Sequence, residues 1–221
     1  MNTFDKTWEE VHKKEVWGKY PSEDVIRFMA RNYYKLLSFS DEVVKVLDLG
    51  CGSGSHTWFL AKEGFDTYAI DGSEAAVTKT KKLLSDMKLS ATVMVSDAAN
   101  LPFQDNFFDV IIDSAVIYAN TICGINAIFK ECYRVLKSGG RIFSTGNFSS
   151  QTTGFGTGIK MEENTYKDIE LGSLKGRGTT HFFTKEELMK LYRDMRDIKI
   201  DYLTRTDGDN VIAYHIIQAT K

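Results

Sequence analysis

The sequence predicts an α/β fold built on a mostly parallel sheet that closes with a C-terminal antiparallel hairpin. Three observations carry this expectation. From residue 43 onward, short apolar strand-like runs alternate with amphipathic helical stretches. The run 108–112 is nearly all apolar, as a strand covered on both faces should be. The last two strand-like runs flank a turn-rich tetrapeptide. Strands separated by helices of about 10–15 residues imply crossover units, and crossovers imply parallel neighbours.

The elements follow in order. The first forty residues read as helical and aromatic. Pro21-Ser22-Glu23-Asp24 is a helix start: a proline near the first turn, a capping serine, then acids toward the positive end. Val25, Phe28, Met29 and Tyr33 then share one helical face. Residues 43–49 form a strand that ends in glycines, 55–63 a helix, 67–70 a second strand closing on Asp71, 73–87 a helix and 91–95 a third strand. After the fourth strand at 108–112, Ile125, Ile128, Phe129, Cys132, Val135 and Leu136 keep helical spacing. Ser138-Gly139-Gly140 stops that helix, and 141–144 is the fifth strand. Residues 146–180 hold seven glycines and read as a binding loop or lid, or else as a surface excursion. Thr184-Lys-Glu-Glu187 is a capping box opening a helix. Residues 198–204 and 211–219 flank Asp207-Gly208-Asp209-Asn210 and complete the hairpin.

Composition bounds the function. The chain has 221 residues, 43% of them hydrophobic and 26% charged, enough to fold as one domain without disulfides or metals. The expected organisation is an N-terminal helical cap at 1–40 and a domain at 41–221, with a lid at about 146–183. A net charge of −2 argues against nucleic acid and anionic membrane as partners. The longest apolar stretches fall far short of a membrane span. The first ten residues are too charged for a signal peptide. Three cysteines without a CxxC pattern point to reduced thiols and a cytoplasmic location.

The most informative segment is Val46-Leu-Asp-Leu-Gly50-Cys-Gly52-Ser-Gly54, a glycine loop between a strand and a helix. Glycines there let a nucleotide approach the backbone closely. Dinucleotide sites favour GxGxxG, whereas this loop is GxGxG with Ser55 at the third dinucleotide position. Asp48 would repel a pyrophosphate and attract an ammonium or sulfonium group. The charge therefore favours S-adenosylmethionine over NAD.

With these residues in place, the stretch 46–143 resembles the class I S-adenosylmethionine-dependent methyltransferase family. The resemblance is carried by the glycine motif, by Asp71 in Tyr68-Ala-Ile-Asp-Gly-Ser73, by Asp97-Ala98, by Leu101-Pro-Phe103, and by Arg134-Val-Leu-Lys-Ser-Gly-Gly-Arg-Ile-Phe143. It implies a three-layer Rossmann-like methyltransferase fold with a seven-stranded sheet. It also implies roles. Asp48 and the backbone at Gly50 and Gly52 would face the methionine end. Asp71 would accept from the ribose hydroxyls, and Asp97 and the Ala98 N–H would read the adenine. The implied cofactor set is Asp48, Gly50, Cys51, Gly52, Gly54, Asp71, Gly72, Asp97 and Ala98. S-adenosylhomocysteine would be the product.

Methyl transfer from a sulfonium needs alignment and exclusion of water, and a general base only if the nucleophile arrives protonated. No metal is required. His181, at the end of the glycine-rich segment, is the preferred base. Tyr118 either orients or deprotonates the acceptor, or packs as an ordinary aromatic. Trp17 and Tyr20 wall an apolar pocket or dock the N-terminal helices onto the core, and the resemblance implies that Asp113 lies in the segment facing the transferred methyl group on the substrate side. The segment after the fourth strand reads Asp113-Ser-Ala-Val, without the prolines of amino-methylating DNA enzymes. Neither proline precedes a cysteine, and residues 104–130 contain no glutamate, which argues against cytosine-C5 and protein-arginine enzymes. The expected acceptor is a small molecule methylated on oxygen, by a monomer or homodimer. The alternatives are an RNA or protein methyltransferase, a non-catalytic cofactor-binding subunit, and an NAD-dependent oxidoreductase.

Overall fold

The structure is a computed structural model that describes residues 3–15, 17–39 and 43–221, with the side chains of 37–39 excepted. Its centre is a seven-stranded sheet formed by β1 (Lys45–Leu49), β2 (Asp66–Asp71), β3 (Thr92–Val95), β4 (Phe108–Ser114), β5 (Leu136–Phe148), β9 (Arg196–Asp207) and β10 (Asn210–Thr220). The strand order is β3-β2-β1-β4-β5-β10-β9. The first five strands are parallel, and β10 runs antiparallel to both β5 and β9. The chain leaves β1 in one direction through β2 and β3, then returns to place β4 on the other side of β1. A crevice opens at the carboxyl ends of strands where such a reversal occurs.

Helices cover both faces: α1 (Thr7–Lys14), α2 (Glu23–Phe39), α3 (Ser55–Lys62), α4 (Glu74–Asp86), α5 (Ile122–Val135) and α6 (Lys185–Leu191). Strand alternation sorts the core. Leu47, Leu49 and Ile111 pack with Ile125, Phe129, Leu188 and Tyr192. Val46, Val110, Ile112 and Phe143 pack with Val25, Phe28, Trp58 and Phe59 from α2 and α3. Phe28 stacks on Phe143 at 4.6 Å, which seats α2 on the sheet. His56 of α3 accepts the Ser22 N–H at 3.2 Å and so fixes the start of α2 beside the glycine loop. The Thr184 capping box is present: Glu187 N–H reaches the Thr184 hydroxyl at 3.1 Å, and Thr184 N–H reaches the Glu187 carboxylate at 2.7 Å.

Two features differ from the sequence expectation. Ser138-Gly139-Gly140 does not terminate a helix, because α5 ends at Val135 and β5 starts at Leu136. The glycines lie inside β5, where Gly139 N–H donates to Lys221 O at 2.8 Å and Lys221 N–H to Gly140 O at 2.9 Å. The segment 146–180 is also not one irregular loop. It holds a small sheet of β6 (Ile159–Glu162), β7 (Thr165–Lys167) and β8 (Thr180–His181), and a short 3-10 turn at Gly172–Leu174. It is pinned by His181 N–H to Tyr118 O (2.8 Å) and Phe183 N–H to Phe148 O (2.7 Å), and it buries Ile169, Leu174 and Phe182.

Candidate active site

A cavity of about 420 Å³ opens at the carboxyl ends of β1 to β5. Its floor is made by Gly50 and Gly52 after β1, Asp71 and Gly72 at β2, Asp97 and Ala98 after β3, and Ala115 and Val116 after β4. The N-terminal segment closes one side with Thr3, Phe4, Trp8, His12 and Trp17. Thr145, Phe148, Leu174, Arg177, Arg205, Ile212 and Tyr214 form the other side.

The glycine loop has a geometry that only glycine takes without strain. Gly50, Gly52 and Gly54 have φ of +66°, +54° and +88°. At Gly50 the space is also short, since a Cβ would stand 2.4 Å from the Val116 side chain. The loop is held by the strand beside it. Gly52 N–H donates to Asp71 Oδ2 at 2.9 Å, and Ser73 N–H donates to Asp71 Oδ1 at 2.8 Å. Burial raises the Asp71 pKa, while these two N–H groups and His12 work against that rise. Each Asp71 oxygen keeps a further lone pair for a ligand hydroxyl.

Asp97 is held in a similar way. Its Oδ1 accepts from Ala99 N–H at 2.9 Å and from the Thr3 hydroxyl, and its Oδ2 accepts Thr3 N–H at 2.6 Å. Arg134 pins the turn that follows. It donates to Leu101 O and Phe103 O and pairs with Glu131 and Asp105.

Of the residues singled out in the sequence, Gly50, Gly52, Asp71, Gly72, Asp97, Ala98, Trp17 and Tyr118 line this one cavity. Asp48, Cys51, Gly54, Asp113, Tyr20 and His181 are not among its lining residues. Asp48 shares the strand face of Val46 and so points to α3, where it accepts the Thr57 hydroxyl; burial raises its pKa, with His56 opposing. Cys51 is buried against Thr80, and a Cβ on Gly54 would meet Thr80 at 2.8 Å. Asp113 is 1% exposed. It accepts from the Ser144 hydroxyl and from the Val116 and Ile117 N–H groups. It thereby shapes the turn in which Ala115 takes φ +60°. Burial pushes its pKa up to about 6 against those hydrogen bonds.

The catalytic expectations need correction. His181 is completely buried. Its Nδ1 lies 2.8 Å from the Thr165 hydroxyl and its ring stands edge-on to Phe183. It braces β8 rather than facing the cavity. Tyr118 is a wall: it is 3% exposed and packs edge-on against Phe148 at 4.8 Å. Burial pushes its phenol well above the ordinary range, so it holds its proton. Tyr20 is 73% exposed and leans on Trp58. Trp17 stands 5.0 Å from His12, with the Arg177 guanidinium 5.5 Å from its ring. Glu15 bonds both the Trp17 indole N–H and Arg177.

Sequence reasoning missed the polar group at the far end of the cavity. Tyr214 O–H and Thr145 O–H both point to Asp24 Oδ2, at 3.3 and 3.5 Å, beside Arg205. Asp24 reads in sequence as a helix-dipole acid, and nothing local marks Tyr214. Among the described residues, no group of three His, Cys, Asp or Glu could hold a metal ion, and no helix is long and apolar enough to cross a membrane.

These residues fit an adenosyl sulfonium ligand. A ribose needs acceptors for two hydroxyls, and Asp71 offers a free lone pair on each oxygen. An adenine amino group needs one acceptor, and among the described residues Asp97 Oδ2 accepts one hydrogen bond. Gly72 has no side chain between these two acids, and the ring of Phe4 lies where its Cβ would be.

Comparison with known proteins agrees with this geometry. Residues 46–140 match the family model described as a methyltransferase domain. An uncharacterized methyltransferase of Synechocystis sp. is 34% identical over 96 residues, 43% of each chain. The ubiquinone/menaquinone biosynthesis C-methyltransferase UbiE of Chromobacterium violaceum is 34% identical over 103 residues, 45% of this chain and 41% of that one. The chain thus spans under half the length of these curated relatives. A solved S-adenosylmethionine-dependent methyltransferase of Methanosarcina mazei superposes with a TM-score of 0.68 at 25% identity, covering 86% of this chain and 97% of that one. The 1,6-didemethyltoxoflavin-N1-methyltransferase of Burkholderia thailandensis shares the fold, with a TM-score of 0.63 at 18% identity over 90% and 79% of the two chains. Motif, sheet order, cavity and matches converge on residues 46–140 as a methyltransferase domain, and most of the chain is similar in fold to a solved S-adenosylmethionine-dependent methyltransferase.

Proposed function

We propose that this chain transfers a methyl group from S-adenosylmethionine to a small-molecule acceptor, with oxygen as the methylated atom. The observation that carries the reading is one cavity that joins the glycine loop, Asp71 and Asp97 to a separate polar end built from Asp24, Thr145 and Tyr214. Bound S-adenosylmethionine supplies an electrophilic methyl group. The protein's own work is binding, orientation and proton handling. Gly50 and Gly52 admit the ligand close to the backbone, Asp71 takes the ribose, and Asp97 with Ala98 N–H takes the adenine. Ala115 and Val116, shaped by the buried Asp113, set the floor beside the acceptor.

Asp24, which lines the cavity, and not the buried His181, is the base in this reading. Asp71 is committed to the glycine loop and Asp97 to Thr3 and Ala99, whereas Asp24 has only long contacts to two hydroxyls. It receives the proton of an acceptor O–H, and Tyr214 and Thr145 keep its carboxylate aimed at the cavity. The size of the cavity suits a small molecule. UbiE is named a C-methyltransferase and the toxoflavin enzyme an N1-methyltransferase. The oxygen assignment here therefore rests on Asp24 alone.

The test is radiolabelled methyl transfer from S-adenosylmethionine into host-cell extract split by a size filter. Label in the small-molecule fraction that falls sharply with Asp24→Asn, while S-adenosylhomocysteine affinity holds, supports the reading. Label retained with RNA or protein contradicts it.

A further inference from the structure

The N-terminal residues do more than cover the cavity. Thr3 directs both its N–H and its hydroxyl to Asp97, a residue 94 positions away. With Ala99 N–H, these fill three of the four acceptor positions of the carboxylate. Among the described residues one position on Oδ2 has no donor, and Asp97, Ala98, Thr3 and Phe4 all line the cavity. The segment therefore borders the ligand space and does not plug it.

Phe4 completes the same corner. Gly72 leaves a gap between the two ligand-reading acids, and Phe4 stands in it: a Cβ on Gly72 would lie 2.2 Å from the Phe4 ring. Gly72 has no positive φ, so the ring, and not the backbone, is what keeps this position small. Asp5 then ties the segment to the glycine-rich insertion. Its Oδ2 accepts from both N–H and O–H of Thr179 at 3.1 Å, and its Oδ1 from Thr7 N–H at 2.9 Å. Burial opposes the charge on Asp5, but these bonds prevail and lower its pKa. Glu15 makes a second tie to the insertion through Arg177 at 2.9 Å.

We infer that residues 3–5 form the nucleobase wall of the cofactor pocket, and that the Asp5–Thr179 contact makes seating of this wall and ordering of residues 172–181 a single event. The inference rests on the methyltransferase reading and adds to it three positioning residues outside the matched domain. The stretch 172–181 includes Leu174 and Arg177, which line the same cavity. A cofactor that seats the wall therefore also fixes this part of the cavity lining.

The test uses S-adenosylhomocysteine as the probe on the full chain. Calorimetry should show about tenfold weaker binding for Phe4→Ala, which removes the ring, and for Thr3→Pro, which removes both donors. Gly72→Ala should weaken binding to a similar degree by displacing Phe4, and should do so no longer in the Phe4→Ala background, as expected for residues in contact. Hydrogen exchange should show amides 178–181 protected on ligand binding in the parent and less so in Thr179→Val. Variants that bind as tightly as the parent, or more tightly, would overturn the wall. Equal protection in Thr179→Val would overturn the coupling. If the parent chain itself does not bind S-adenosylhomocysteine, the methyltransferase reading falls, and the wall with it.

Discussion

Gly52 N–H donates to Asp71 Oδ2 at 2.9 Å, so the residue expected to hold a ribose also holds the glycine loop in place. The loop after β1 and the end of β2 are one unit through this bond. Asp71→Ala removes the proposed ribose acceptor and leaves the Gly52 and Ser73 N–H groups without their acceptor. Each such loss costs about 1–3 kcal/mol. The variant should bind S-adenosylhomocysteine at least about tenfold more weakly and melt at a lower temperature, as calorimetry and thermal unfolding will show.

Gly50 tests close approach. Its φ is +66°, and a Cβ there would lie 2.4 Å from Val116. Gly50→Ala adds backbone strain of about 1–3 kcal/mol and drives the loop away from the turn after β4. Binding should be lost at a ligand concentration that saturates the parent. In equilibrium dialysis, retained affinity would show that the two turns need not touch.

Asp113 gives a pH signature. Its folded pKa of about 6 lies above the ordinary carboxylate value of 3.8, so the folded state holds its proton more tightly than the unfolded chain. Below both values the two states are alike. Raising the pH through this window removes stability, at up to about 1.4 kcal/mol per pH unit and about 3 kcal/mol in all. Asp113→Asn lacks this titration. The stability of the parent minus that of the variant, from urea unfolding at several pH values, should fall between pH 4 and 6 and level off above.

His181 separates a structural from a catalytic role. It is buried on β8 with Thr165 as its partner. His181→Asn should cost about 1–3 kcal/mol of stability and leave S-adenosylhomocysteine affinity and the pH profile of transfer unchanged. A shifted pH profile would return it to the mechanism.

The sequence carried the sheet because each parallel strand shows as an apolar run and each crossover helix as a periodic one. Gly50, Gly52, Asp71 and Asp97 come together in one cavity because they stand at strand ends, where position along the chain fixes position in space. Period-two alternation puts Asp48 on the Val46 face toward α3, under the loop and not in it. The strands β6, β7 and β8 are two to four residues long, too short for any pattern, so the burial of His181 could not be seen. Asp24, Tyr214 and the Thr3–Asp97 pair depend on contacts between distant parts of the chain. No local signal records them.

The glycine loop, Asp71 and Asp97 together make the proposed adenosyl sulfonium site. Titration calorimetry of the purified chain with S-adenosylmethionine, S-adenosylhomocysteine and NAD tests it most directly. Saturable one-to-one binding of the first two, weakened by both Asp71→Ala and Asp97→Ala, is expected, with no binding of NAD. Saturable NAD binding with no heat from S-adenosylhomocysteine would contradict it.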